Sequence, residues 1–533
     1  MSFASQAART IELLKATPGW ARVKDLRSDC DDETVVAIVD EAARFAETVL
    51  APLNVRADRE GCRVVDGRVR TPQGFAAAFR RYGEAGWLSM DVPESFGGQG
   101  VPLVLQSVCA PLFERGCVAL MMAVGSTRAA CHLLAEAADA EVAEEWIEQL
   151  SSAQWAATIC ISEPDAGSDV GRLRTRAVLN DGEWRISGQK IWISFGDHDM
   201  ATRIGHCLLA RTNDQPGTRG LSLFLVPDRF GDDRNCVTVE RIEEKMGLHG
   251  SPTCALRFDN ARGILLGAEG RGLPQLFTMI ELMRLQTGCQ GLGLASAAVD
   301  LAEQYAGERR QGGDPNKPAP VIARHPDVRR QLDEMRLATE SLRAAVLELA
   351  TVMDLARLET GEAERADMAA LSGWMLPLIK NFGADAGFTI SNAAIQVFGG
   401  AGYTRDWPLE QYLRDARVMT IYEGTTGMQA IDLLTRRLWR DGGKGLDLFL
   451  SRARRDLTGP GLDGCAEADV ALQVLADFEK LSADMMAMQA EPDKALYRAD
   501  AYLRAAWKAF SAWMAVRVAK TGSQTAAAEE AAA

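Results

Sequence analysis

The segment IYEGTTG, Ile421 to Gly427, sets one carboxylate, Glu423, between an aromatic and a glycine, where an apolar run gives way to a helix. By residue type alone such a group is a solvated surface residue; shielded from water, it becomes a general base. Three other stretches offer polar chemistry. ICISEPDAGSDV, Ile159 to Val170, is a strand ending at Ser162 and entering a Pro/Gly/Ser turn whose N–H groups and hydroxyls can meet a ligand. It matches neither G-x-G-x-x-G nor a P-loop. SGQKIWISFGDHD, Ser187 to Asp199, carries Trp192 and Ser194 at alternate strand positions, so both should point to one face. A flat ring beside a hydroxyl suits a planar heterocycle; a core aromatic is the plain alternative. Last, GERRQGG, with Arg309 and Arg310, pairs with IQVFGGAGYTRDWPLE, Ile395 to Glu410. Arginines suit phosphates, and the Gly399–Gly400 pair with Gly402 admits close backbone approach; a helix cap and turn would look the same.

The composition narrows what these groups can serve. With 533 residues the chain predicts several domains. Its net charge of −14, from 59 basic and 73 acidic residues, argues against nucleic acid and a polybasic membrane anchor. The 11 cysteines never form a C-x-x-C pair, which predicts reduced, mostly buried thiols of a cytoplasmic protein. The five histidines have no ligand spacing, so no metal is expected. The N-terminus lacks a signal-peptide pattern. Apolar stretches such as CVALMMAVG read as far short of a membrane span.

The elements that must position these residues follow from periodicity. Residues 1–152 read as an α-helical domain, with i, i+3, i+4 apolar spacing from Asp32 to Leu150 and a Pro/Gly loop at DVPESFGGQGVPL. Residues 153–272 read as a middle, antiparallel β domain, with the turn signal NDG at Asn180–Gly182. Residues 273–440 read as a helical bundle, its first helix lined with small residues that permit close helix approach. Residues 441–533 read as an additional helical segment ending, from Gly522, in a frayed tail.

A helical domain followed by S-E-P-x-A-G-S-D, G-x-K-x-W-I-S, E-R-x-x-G, Q-x-x-G-G-x-G-Y and I-Y-E-G-T resembles the acyl-CoA dehydrogenase family over roughly residues 35 to 440. The resemblance implies a mainly α fold with a central barrel-like β domain and a C-terminal four-helix bundle. It also implies FAD held between the β domain and the C-terminal helices. By motif position, Ser162 should hydrogen-bond the flavin, Trp192 pack on it and Ser194 reach its N5 edge. Ser168 should lie near the pantetheine arm or the cofactor's phosphates. Arg309, Gln396, Gly399 and Gly400 should contact the ADP half of an FAD shared with a neighbouring subunit, which requires a homodimer or homotetramer. Thr425 should approach the cofactor too.

Glu423 is then the catalytic base, with Gly424 admitting the thioester, Tyr422 walling the site and Arg284 holding either Glu423 or the CoA arm; a structural ion pair is the alternative for Arg284. Where some relatives carry the base on the preceding helix, this chain has Met283; Glu281 is the second candidate. The implied reaction is α,β-dehydrogenation of a short or modified acyl-CoA, methylthio-substituted for instance, with an electron-transfer flavoprotein as acceptor. The alternatives are a flavin oxidase or oxygenase acting on a CoA thioester, and a non-catalytic homologue that keeps its flavin. EKMGLHGSPTC, HPDVRR and IYEGTTGMQAIDLLTRRL resemble the larger 3-methylmercaptopropionyl-CoA dehydrogenase-like branch. Gly312–Gly313 with its insertion, and Gly427, depart from the family pattern and alter the expected FAD contacts.

Overall fold

The computed structural model describes residues 2–27, 30–462 and 464–532. The side chains beyond Gly522, where the sequence predicts a frayed tail, lie outside the described residues. The chain forms two compact units. One comprises Met1–Glu47, Pro102–Arg115 and Arg284–Ala533; the other comprises Thr48–Val101 and Gly116–Met283.

The second unit is built on a seven-stranded sheet. Leu221–Pro227 pairs with both Arg203–Arg211 and Thr253–Leu266, and this closes the sheet into a barrel through Glu183–Ser194 and Arg176–Asn180. Asp181 and Gly182, at φ 51° and 83°, make the two-residue turn that NDG predicts. The core inside is apolar: Ile186, Ile193, Leu208, Phe224, Leu256 and Phe258 are among its buried members.

Three expectations are corrected here. The sheet is mixed rather than antiparallel, because Trp155–Cys160 runs parallel to Arg203–Leu208 along its whole length. The long excursion between those two strands is what makes a parallel return possible. A hairpin, Arg63–Val65 with Arg68–Arg70, interrupts the region read as helical; its turn is Asp66–Gly67, both at positive φ, so the D-G signal was present in the sequence. And Leu103–Ala137 is long and apolar enough by composition to cross a membrane, although 94% of its most apolar window is buried inside the fold, as in a core helix. Its helical geometry breaks at Cys117.

The first unit is helical. Gly272–Glu308 (from Arg284 onward), Pro326–Leu358 and Glu362–Phe398 are its long members, followed by Leu409–Ala416, Lys444–Leu457, Ala466–Ala487 and Ala499–Ala532. Two of these cross with almost no space between them. A Cβ added at Gly291 would come within 1.8 Å of the Gly383 carbonyl, and one at Gly288 within 2.6 Å of the Ile379 side chain. This is the close approach that small residues permit. The helices after residue 440 pack by aromatic contact: Phe382 stacks on Trp507 at 5.0 Å and 8°, and Trp374 lies 4.3 Å from Phe449.

Candidate active site

The crossing of the two glycine-lined helices sets Arg284 and Lys380, each about one turn before its crossing glycine, beside the loop that ends at Thr425. Lys380 is fully buried. Its ammonium donates to the carbonyls of Met419 (2.8 Å) and Gly424 (2.7 Å), tying both ends of that loop to one side chain. Gln429 donates to the carbonyls of Glu423 (3.0 Å) and Gly424 (3.2 Å). Within this clamp Glu423 has φ +52° and Gly424 φ +91°. A side chain at Gly424 would press on the Gln429 amide at 2.7 Å and be strained at this φ, so glycine suits the position. Positive φ on a glutamate costs free energy, and such strain concentrates at functional positions.

Glu423 is half-buried, and desolvation raises its pKa above the ordinary carboxylate value, opposed by the nearby charges of Arg284 and Lys380. Burial in turn pulls Lys380 down to about 7, with Glu423 pulling the other way. Arg284 donates to Asp432 at 3.0 Å, so it is both an ion-pair member and part of the field around Glu423. Tyr422 donates its hydroxyl to Gln290 Oε1. Burial, with Glu114 and Glu423 nearby, holds its pKa well above the usual phenol value. Lys380, Gln429 and Glu114 were missed by sequence reasoning; nothing in their local sequence marks them, because their partners are remote in the chain.

In the barrel unit, Ser162 and Trp192 are brought together. The Ile191 N–H donates to the Ser162 carbonyl at 2.9 Å. The fully buried Lys190 donates to the Ile161 carbonyl (2.9 Å) and to Glu163 (2.8 Å), and Glu163 also accepts from the N–H groups of Arg174 and Thr175. Along Ile191–Ser194 the buried Ile191 and Ile193 alternate with the less buried Trp192 and Ser194, and a register shift falls between Cys254 and Leu256 on the facing strand. Two residues, Ile191 and Trp192, lie opposite one, and Trp192 sits at φ +63°. The bulge flips the phase: Ile186 and Ile193 both join the core despite their opposite parity, and Trp192 is left 59% exposed. Ser194 is half-buried, and Ser168 is exposed on the turn after Ala166.

In the helical unit, Tyr305 stacks on Phe398 at 4.0 Å, which joins the helix end carrying Arg309 to the cap at Gly399. Arg309, Gln396, Gly399 and Gly400 are all exposed there. Thr425 is an N-cap, its hydroxyl accepting from the Met428 N–H at 3.4 Å. Met283 is buried and Glu281 half-buried.

Family models for the acyl-CoA dehydrogenase N-terminal, middle and C-terminal domains match residues 32–154, 158–261 and 270–438. The chain belongs to the acyl-CoA dehydrogenase family, whose members are FAD-dependent oxidoreductases acting on acyl-CoA. It is 36% identical over 440 residues to a 3-methylmercaptopropionyl-CoA dehydrogenase of Ruegeria pomeroyi, covering 80% of this chain and 74% of that one. It is 36% identical over 446 residues to a broad-specificity linear acyl-CoA dehydrogenase of Mycobacterium tuberculosis, covering 79% and 72%. An acyl-CoA dehydrogenase of Bacillus anthracis solved with FAD superposes with a TM-score of 0.73 over 93% of this chain and 83% of that one, at 20% identity.

The residues present fit FAD. Trp192 offers an exposed ring on a strained backbone, next to the Ser162 turn. A Cβ at Gly399 or Gly400 would meet no atom within 4 Å, which leaves open space over that backbone.

Proposed function

We propose that this chain dehydrogenates a short or modified acyl-CoA across its α and β carbons, with Glu423 as the base. One observation carries the reading: a half-buried carboxylate on a strained loop, its pKa raised by desolvation and restrained by Arg284 and Lys380. A base must be ionised at working pH yet poorly solvated, and those opposed effects supply both conditions. Glu423 takes the α-proton. The thioester oxygen then gains negative charge, and the N–H of Glu423 donates to no group among the described residues, so it can receive that charge. Gly424 leaves room for the thioester, Tyr422 forms the wall beside it, and Arg284 holds the field around the carboxylate. FAD, when bound, would supply the acceptor for the β-hydrogen. Ser162, Trp192 and Ser194 would meet the flavin, Ser168 the pantetheine arm or the cofactor's phosphates, and Thr425 would also approach the cofactor, whereas Arg309, Gln396, Gly399 and Gly400 would contact the ADP half of an FAD held mainly by a neighbouring subunit.

The exposed corner formed by Arg309, Gln396 and the glycine pair, with Tyr403 88% exposed beside it, supports a homodimer or homotetramer in which that surface is covered. An electron-transfer flavoprotein is the proposed acceptor. A cytoplasmic setting is supported by the 11 cysteines, none of which is paired.

The deciding experiment is an anaerobic titration of the purified flavoprotein with a panel of acyl-CoA esters. Bleaching of the flavin band with formation of an enoyl-CoA is expected. A flavin that stays oxidised with every saturated ester would replace this reading with the oxygen-using one.

A further inference from the structure

Glu114 lies in the same helical unit as Glu423 and is fully buried. The Gln286 amide donates to its Oε1, and Gln290 is its second hydrogen-bond partner. Gln290 also accepts the Tyr422 hydroxyl on its own Oε1, so its amide nitrogen is the group left to face Glu114. A polar chain thus runs from Tyr422, next to the base, through Gln290 to Glu114. Its last atom, Glu114 Oε2, has no partner among the described residues. Both amides donate to Glu114, and no basic side chain is among its hydrogen-bond partners. Full burial beside amides alone, with desolvation raising its pKa, favours the neutral, protonated carboxyl. A neutral carboxyl whose acceptor oxygen is occupied has one function left, the O–H on the other oxygen. A buried donor without an acceptor costs free energy until one arrives.

We infer that Glu114 is a selectivity group, donating a hydrogen bond to an acceptor oxygen (ether, hydroxyl or keto) carried on the acyl chain beyond the reacting carbons. This rests on the proposed dehydrogenation and on Tyr422 as the wall of its site. It goes further by naming the substrate class: an oxygen-bearing acyl-CoA is favoured over its all-carbon isostere. A hydrocarbon chain would leave the Glu114 hydroxyl unpaired, whereas an ether oxygen in the place of one methylene satisfies it at nearly constant shape.

The test compares hexanoyl-CoA with 4-methoxybutanoyl-CoA on the purified holoenzyme, reading kcat/KM for each. The wild type should favour the ether by about tenfold or more. Glu114→Gln keeps an acceptor for the two glutamine amides and an N–H in place of the O–H, so it should retain the preference. Glu114→Met removes the donor at similar volume, and the ratio should fall to about one. A wild-type ratio near one, with both esters turned over, overturns the inference and leaves the dehydrogenase reading standing. So does a Glu114→Met enzyme that keeps the wild-type ratio. Should the methionine variant fail to fold, the wild-type ratio and the glutamine variant decide. Absence of flavin reduction with either ester, and with the wider acyl-CoA panel, would remove the proposed function and this inference with it.

Discussion

The ammonium of Lys380 donates to the carbonyl of Gly424 at 2.7 Å, one residue past the base, while its charge acts on the carboxylate of Glu423. One buried lysine therefore fixes the loop and tunes it. Because the positive charges of Lys380 and Arg284 pull the Glu423 pKa down against desolvation, removing one lets it rise further. Lys380→Met should move the acidic limb of the kcat–pH profile upward by about one unit or more. A purely structural lysine would lower kcat and stability without moving that limb, so a profile of unchanged midpoint would count against the tuning role.

Glu423→Gln keeps the shape of the side chain and removes the base. Flavin colour and CoA-ester binding should survive while turnover falls by about a thousandfold or more. In the wild type, catalysis needs the ionised form, so activity is present above the Glu423 pKa and lost as pH falls through it. Since that pKa is raised from 4.5, the loss begins at higher pH than for an exposed glutamate. Near-normal turnover in the variant would move the base elsewhere, with Glu281 examined next.

Much of this site could be read from residue order, because I-Y-E-G-T and S-E-P-x-A-G-S-D are local patterns. What was not legible depends on contacts made after folding. Lys380 lies 43 residues before Glu423 in the chain and looks like any helical lysine until the glycine crossing buries it. Glu114 looks like a surface charge until Gln286 and Gln290 surround it. The bulge at Trp192, which puts Ile186 and Ile193 into one core despite their opposite parity, escapes a strict period-two pattern. The parallel pairing of Trp155–Cys160 is likewise a matter of topology, invisible to a period-two pattern. The Asp66–Gly67 hairpin differs from these: its signal was local, and the surrounding helical periodicity concealed it.

Trp192 combines a left-handed backbone with an exposed ring, two features that a merely structural tryptophan has no need of. Trp192→Gly should relieve the backbone strain, about 1 kcal/mol for a non-glycine residue, and remove the stacking surface together. The apoprotein should therefore melt at an unchanged or higher temperature, while FAD affinity falls by about tenfold or more. Thermal melts of the apoprotein and a fluorescence titration with FAD separate the two effects. A destabilised apoprotein with unchanged FAD affinity would make the ring a packing group.

Lys190 and Glu163 hold the Ser162 turn against the Trp192 bulge from beneath, as a buried pair in the barrel unit. Replacing Lys190 with Met leaves Glu163 buried without its cation, a loss of about 3–5 kcal/mol for a pair of this kind. The Glu163 pKa is lowered in the folded wild type despite burial, since Lys190 and the Thr175 and Arg174 donors favour its charge. Its contribution is therefore present above the ordinary carboxylate pKa and lost as pH falls through the lowered folded value. In Lys190→Met the remaining carboxylate takes up a proton more readily, so the variant suffers most at neutral pH and the gap to wild type narrows in acid. Denaturant unfolding at pH 7 and pH 4 measures this directly. FAD should be released before global unfolding, because the loop and the bulge lose their common support. A stability gap independent of pH would show that the lysine contributes by packing alone.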